Sequence, residues 1–303
     1  MLDLRKLQIF VHVVQAGSFS GAAERLLMTQ SGVSQHIQDL ERGFSTALFE
    51  RRARGVALTD AGQLLLGYAE QILQIAHEAE LALTTVTPTT HAAVRLGATP
   101  GVGMYVLPTC LTEFQGRYPQ VQIDLMTRTT PQIAEALLAG ACDLGIVEGE
   151  PDISDAAVRV RHLASVPQWL VIGPQHVWWD RESVELSELP QTALITRQRG
   201  SHSRQWLERE LASLGLTVRI TAEFDNVESI KRAVAGGKAA TILPRYAFEQ
   251  EVTFGLLRAV PIIGVELQRH LSAIWASASP PGPVASAFLS NVTRMLEQVH
   301  WSR

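Results

Sequence analysis

Between Thr59 and Val86 the chain has no proline, and Ala61, Leu65, Tyr68, Ile72, Ile75, Ala79, Ala82 and Val86 recur at alternating steps of four and three. That is a heptad seam, and a helix of this length spans roughly 40 Å, too long to be tucked into a small core. Thr59 or Asp60 supplies its cap. Such a seam packs either on the chain's own head or on a second copy; its length favours a two-chain coiled coil, with Leu65, Tyr68, Ile72, Ile75 and Ala79 as dimer contacts. The turn-forming run TPTTHAA follows without periodicity. The expected division is a head at 1–58, a linker helix at 59–88, a hinge at 89–93 and a body at 94–303.

The head carries the second constraint. Ser18 is a candidate N-cap, and Ala22, Ala23, Leu26 and Leu27 follow at helical spacing; Met28 and Thr29 make a turn, and Val33, Ile37 and Leu40 form the buried stripe of a second helix. The opposite face of that helix is then fixed. It carries Gln30, Ser31, Ser34, Gln35 and Gln38, short or amide side chains able to hydrogen-bond base edges or phosphates in a major groove. A solvated helix face would look similar. The balance is tipped by Arg51, Arg52 and Arg54 in a short hairpin containing Gly55, where a wing meets phosphates. Helix, turn, polar helix and basic hairpin make a winged helix-turn-helix, and Arg52 and Arg54 are its phosphate anchors.

These residues resemble the LysR-type transcriptional regulators. The positions that carry the resemblance include Phe10, Gly17, Ser18, Phe19, Ala22, Ala23, Leu26, Gln30, Ser31, Val33, Ser34, Ile37, Leu40, Leu48, Phe49, Arg51, Leu58, Thr59 and Gly62. Ser45 departs from the family's usual glycine, with Gly43 two residues earlier, which shifts the expected C-cap by a turn position. The resemblance implies a homodimer or dimer of dimers on an interrupted palindrome in double-stranded DNA, contact with RNA polymerase, and a body that binds an effector. A weaker likeness, in TPGVGMYVLP, DLGIVEGEP and the arginine-rich loop near residue 200, is to the branch that controls carbon-fixation and sulfur-assimilation operons.

The net charge of −4 is uneven. Residues 1–58 hold seven basic against five acidic residues, a surplus of two, so the rest of the chain carries −6. Positive charge is thus local to the head, as in a protein whose head alone meets DNA. The start, MLDLRKLQIFVHVV, lacks an apolar run long enough for a signal peptide, and no segment approaches a membrane span; a cytoplasmic protein with no membrane partner is expected. Cys110 and Cys142 sit among apolar or small neighbours and read as buried thiols, not a disulfide or metal site.

The body alternates short apolar strands with helices, a parallel α/β pattern. Strands are expected at 94–98, 121–126, 144–147, 169–172, 193–196, 218–224, 240–243 and 271–275, and helices at 107–118, 132–139, 203–214, 227–235 and 284–299. The resemblance implies two subdomains like those of a periplasmic binding protein, here 94–163 plus 266–303, and 164–265. In such a clamshell the ligand lies at strand ends facing helix N-termini, which favour anions. Three stretches meet that description: Thr99, Pro100 and Gly101; Thr196, Arg197, Arg199, Gly200, Ser201 and His202; and Asn226 with Val227. Arg128 ends another strand and joins the set. A small anionic metabolite is the expected effector, with no cofactor or metal.

A catalytic alternative finds no HExxH, GxSxG or phosphate-binding glycine loop, and the nine histidines show no metal-ligand spacing. His202, Ser201 and Asp225 form no recognisable triad spacing. The remaining alternative, a stand-alone solute-binding protein, leaves the helix-turn-helix without a purpose.

Overall fold

The computed structural model describes residues 3–26, 28–51, 55–86, 93–149 and 156–298. The chain divides into two units, Met1–Pro88 and Thr89–Arg303. Apart from Ala93, the residues of the expected hinge lie outside the described residues.

In the first unit, helices Leu4–Ala16, Phe19–Leu26 and Gln30–Phe44 precede a two-stranded hairpin, Phe49–Arg51 with Val56–Leu58, and the helix Asp60–Val86. Ser18 Oγ accepts from Gly21 N at 3.1 Å and Thr29 Oγ1 from Gly32 N at 3.1 Å, so each short helix starts at the expected hydroxyl. Leu7, Phe10, Val13, Ala22, Val33 and Ile37 are at most 1% exposed. Each large apolar side chain buried in this way contributes roughly 1.5–3 kcal/mol. Glu41 Oε1 accepts from Leu48 N at 2.8 Å and ties the hairpin to the third helix. The C-cap of that helix is Ser45, not a position near Gly43: its φ of 52° makes it the one non-glycine residue with positive φ among the described residues.

The long helix starts where expected, with Thr59 Oγ1 accepting from Gly62 N at 3.0 Å and donating to Ala47 O at 2.7 Å. Its seam, however, is divided. Leu65 and Ile72, with Leu66, Ala69 and Leu73, pack on the head's own core, while Tyr68 (57%) and Ile75 (65%) stay exposed beside Leu64 (66%). Ala79 faces outward as well; the side chains of Ala82 and Val86 lie outside the description. Alternating steps of four and three fit either of two neighbouring stripes on a helix with 3.6 residues per turn, and the head takes one of them.

In the second unit one sheet runs Thr241–Pro244, Val158–Ile172, Leu267–Ala276, Leu144–Glu148, Ala93–Ala98, Gln122–Thr127, with Arg258–Val260 also on Val158–Ile172. Ala93–Ala98 is parallel to both Gln122–Thr127 and Leu144–Glu148. The expected strand at 169–172 is the last part of a fifteen-residue strand whose first part pairs with Leu267–Ala276. These two strands pass between the halves of the unit. Beyond them Ala193–Arg197 runs parallel to Arg219–Phe224, flanked by helices His202–Ser213 and Val227–Ala235. The helix Pro283–Gln298 returns to the first half: Asn291 Nδ2 donates to Cys110 O at 3.2 Å, and Phe288 meets Phe114 edge-on at 5.3 Å. Both cysteines are free and buried, and burial pushes the Cys110 thiol up to about 11, away from reactive thiolate. No helix among the described residues is long and apolar enough to cross a membrane.

Candidate functional site

Two surfaces gather the residues picked from the sequence. The first is the outer face of helix Gln30–Phe44. Val33, Ile37 and Leu40 point into the core, which leaves Gln30, Ser31, Gln35 and Gln38 exposed and Ser34 half-buried on the opposite side. Gln35 Nε2 donates to Asp39 Oδ1 at 3.0 Å, and Asp39 is also 3.2 Å from Arg42 and 3.7 Å from Lys6. The acid inside this polar face is therefore neutralised locally. Arg52 and Arg54 lie outside the described residues.

The second is a cavity of about 110 Å³ between the halves of the second unit. One water needs roughly 10–15 Å³ on such a measure, so there is room for a small molecule. Helix N-termini surround it: Pro100 and Gly101 before a π-helical turn at Val102–Val106, Thr129 and Thr130 at helix Thr130–Leu138, Ser201 and His202 at helix His202–Ser213, and Val227 at helix Val227–Ala235. Thr99 Oγ1 accepts from Glu148 N at 3.1 Å, and Ser201 Oγ caps its helix by accepting from Arg204 N at 3.2 Å.

Three arginines line the cavity, in three different states. Arg269, 5% exposed, pairs with Glu148 at 3.0 Å and donates to its carbonyl at 3.1 Å, while its guanidinium stacks 5.5 Å over Trp206. Gln168 Nε2 donates to the other Glu148 oxygen at 3.3 Å. Tyr246 lies beside them; a Cβ on Gly101 would come within 3.4 Å of its hydroxyl and 3.6 Å of Glu148 Oε2, so the missing side chain keeps this corner open. Burial, and then the Glu148 charge, push the Tyr246 hydroxyl well above its ordinary range, so it stays protonated. Arg204, 3% exposed, donates to Thr196 Oγ1 and lies 2.8 Å from Glu208 and 3.7 Å from Glu223. Arg197 differs. Its Nε is buried, and among the described residues its guanidinium has neither a hydrogen-bond acceptor nor a carboxylate within ion-pair distance. Burial lowers its pKa, Asp225 offsets this in part, and Arg269 adds repulsion.

Of the residues expected around a ligand, Thr99, Pro100, Gly101, Thr196, Arg197, Ser201, His202 and Val227 line this cavity. Four do not. Arg128 is exposed and donates to the carbonyl of its neighbour Thr127; Arg199 is 85% exposed and 3.6 Å from Glu223. Both sit one or two residues past a strand end, where the chain has turned outward. Gly200 is exposed, and Asn226 is used up as a cap, accepting from Ser229 N at 2.8 Å. Arg204, the third arginine of the arginine-rich loop, lines the cavity as well, and Tyr105, Glu148, Gln168 and Arg269 line it without having been singled out in the sequence. Glu148 and Arg269 did leave a trace, each being a lone charge in an apolar strand, but 121 residues separate them and no spacing rule joins them.

Comparisons with known proteins agree with this architecture. Residues 4–63 match the family model described as "Bacterial regulatory helix-turn-helix protein, lysR family", and residues 89–297 match the LysR substrate binding domain. A probable RuBisCO transcriptional regulator of Emiliania huxleyi is 31% identical over 275 residues, covering 89% of this chain and 88% of the relative. The HTH-type transcriptional activator CmpR of Synechocystis sp. is 30% identical over 286 residues, covering 94% and 93%. Among solved structures, CrgA of Neisseria meningitidis superposes with a TM-score of 0.66 at 21% identity, covering 98% of this chain and 99% of that one. Full-length CbnR complexed with its target DNA gives 0.59 at 22% identity, covering 97% and 99%; at such identities the likeness is one of fold.

Proposed function

Because the chain belongs to the LysR family of bacterial regulatory helix-turn-helix proteins, we propose that it is a transcriptional regulator switched by a small anion bound in the cavity of its second unit. The observation that carries the anion is Arg197, a half-buried guanidinium without a carboxylate partner among the described residues, in a cavity ringed by four helix N-termini. Each N-terminus adds roughly 0.3–1 kcal/mol for a negative charge, and a charge-assisted bond from the arginine adds roughly 1.5–3 kcal/mol. A cation would meet the opposite field. Glu148 does not reverse it, since Arg269 and Gln168 already occupy its oxygens.

On the DNA side, the exposed residues Gln30, Ser31, Gln35 and Gln38, with Ser34, read base edges, and Arg52 and Arg54 hold phosphates. Two copies joined along the exposed face of the long helix present two such helices to an interrupted palindrome, and pairs of dimers and RNA polymerase complete the assembly. The relatives are named as regulators, and binding without catalysis is the reading we adopt. Calorimetry against sugar phosphates, dicarboxylates and sulfur oxyanions tests the site. An anion should bind, and Thr99→Val, Ser201→Ala and Arg197→Met should each weaken it, the last by roughly tenfold or more. A neutral apolar best ligand, or unchanged binding in all three variants, contradicts the assignment.

A further inference from the structure

A polar cluster lies at the edge of the cavity and joins its two halves. Tyr105 lies within the π-helical turn Val102–Val106 of the first half. Its hydroxyl donates to Glu228 Oε1 at 2.5 Å, and Glu228 belongs to helix Val227–Ala235 of the second half. Lys231, 5% exposed, is 2.7 Å from the same Glu228 oxygen and 2.7 Å from Glu251 Oε1, and its ammonium lies 4.9 Å over the Tyr105 ring. Tyr246 stands 6.2 Å away, ring to ring.

The cluster is asymmetric. Glu228, Lys231 and Glu251 all belong to the second half and are joined there by two ion pairs, whereas Tyr105 comes from the first. The second half thus offers a preformed socket: an acceptor already charged and oriented by a buried lysine, with that lysine placed to meet an aromatic face. The π-helical turn shifts the register of Tyr105 against the following helix Leu107–Arg117, and such turns recur at functional positions. When the halves separate, the Tyr105 bond breaks while the lysine–glutamate contacts persist.

We propose that Tyr105 is a latch that holds the two halves together, and that its release sets how fast ligand enters and leaves the cavity. The ligand clause rests on the cavity being the effector site; the latch does not. Weakening the bond should speed entry and exit together.

Hydrogen exchange by mass spectrometry on the full chain, with no ligand added, tests the latch. Tyr105→Phe keeps the ring beneath Lys231 and removes only the hydroxyl. Exchange in Val102–Val106 and Val227–Ala235 should rise by roughly tenfold, with Leu144–Glu148 and Gln30–Phe44 unchanged. Glu228→Ala should behave alike, the double variant should add nothing, and Glu228→Gln, which keeps an acceptor, should stay near the parent. Unchanged exchange at the two cleft segments overturns the proposal, as does equal acceleration in Leu144–Glu148, the mark of a merely structural bond. An anion that failed to bind would leave these outcomes untouched and count against the effector reading alone.

Discussion

Ser45 holds a left-handed backbone conformation that costs an L-residue with a Cβ about 1–2 kcal/mol, and it ends the helix whose outer face is proposed to read DNA. Ser45→Gly relieves that cost, offset in part by the freedom glycine gains in the unfolded chain. A stabilisation of about 0.5–1 kcal/mol is expected, seen as a higher midpoint in thermal unfolding. At the cavity, Arg269→Met leaves Glu148 buried without its cation, a loss of roughly 3–5 kcal/mol in denaturant unfolding. Arg95 supplies a pH test. Its guanidinium and backbone N–H bond both oxygens of Asp143, at 2.6 and 2.8 Å, and Nη1 reaches Gly140 O at 2.6 Å. Burial alone raises the Asp143 carboxyl, but the Arg95 bonds outweigh it and hold the group below its usual range. The pair therefore stabilises the fold fully above the unfolded pKa of about 3.9 and loses that contribution as pH falls through the lower folded value. Asp143→Asn should lower stability at neutral pH, with the deficit closing in acid.

At the scale of elements, the long helix shows what a repeat can and cannot specify. Its steps of four and three announced a helix with a buried stripe, yet not which surface would cover it, because Leu64, Tyr68 and Ile75 lie one position round from Leu65 and Ile72. If the exposed stripe is the dimer contact proposed above, Ile75→Asp should give folded monomers in analytical ultracentrifugation by placing a charge in it. Ile72→Asp should instead destabilise the head. Dimers that persist in Ile75→Asp move self-association elsewhere. The helices of head and body were legible where their caps are local: Thr29 in the head, and Ser201 and Asn226 in the body, each accept from a backbone N–H three residues on. The strand Val158–Ile172 was half legible. Its last residues are buried on both faces and read as an apolar run, while its first residues are largely exposed and carry Arg159, Arg161 and His162. The cavity was legible where it is made of strand ends and helix starts, and illegible where it depends on Glu148, Gln168 and Arg269 meeting across strands far apart in sequence.

For the whole molecule, regulation requires a ligand that distinguishes two arrangements of the protein. The face proposed to read DNA and the proposed effector cavity lie in different units. Gln35→Ala should relax base preference at a cost of about 1–3 kcal/mol, whereas Arg54→Ala should weaken binding to all sequences and flatten its salt dependence, both read by fluorescence anisotropy. The most direct test of the account as a whole joins the two units in one titration. Operator DNA is titrated at fixed ionic strength with and without the best-binding anion, using the parent and Arg197→Met. The anion should change the affinity or the protected length of DNA for the parent and do nothing to the variant, whose DNA binding without anion should stay intact. An equal anion effect on both proteins, or none on the parent at saturating anion, would contradict it.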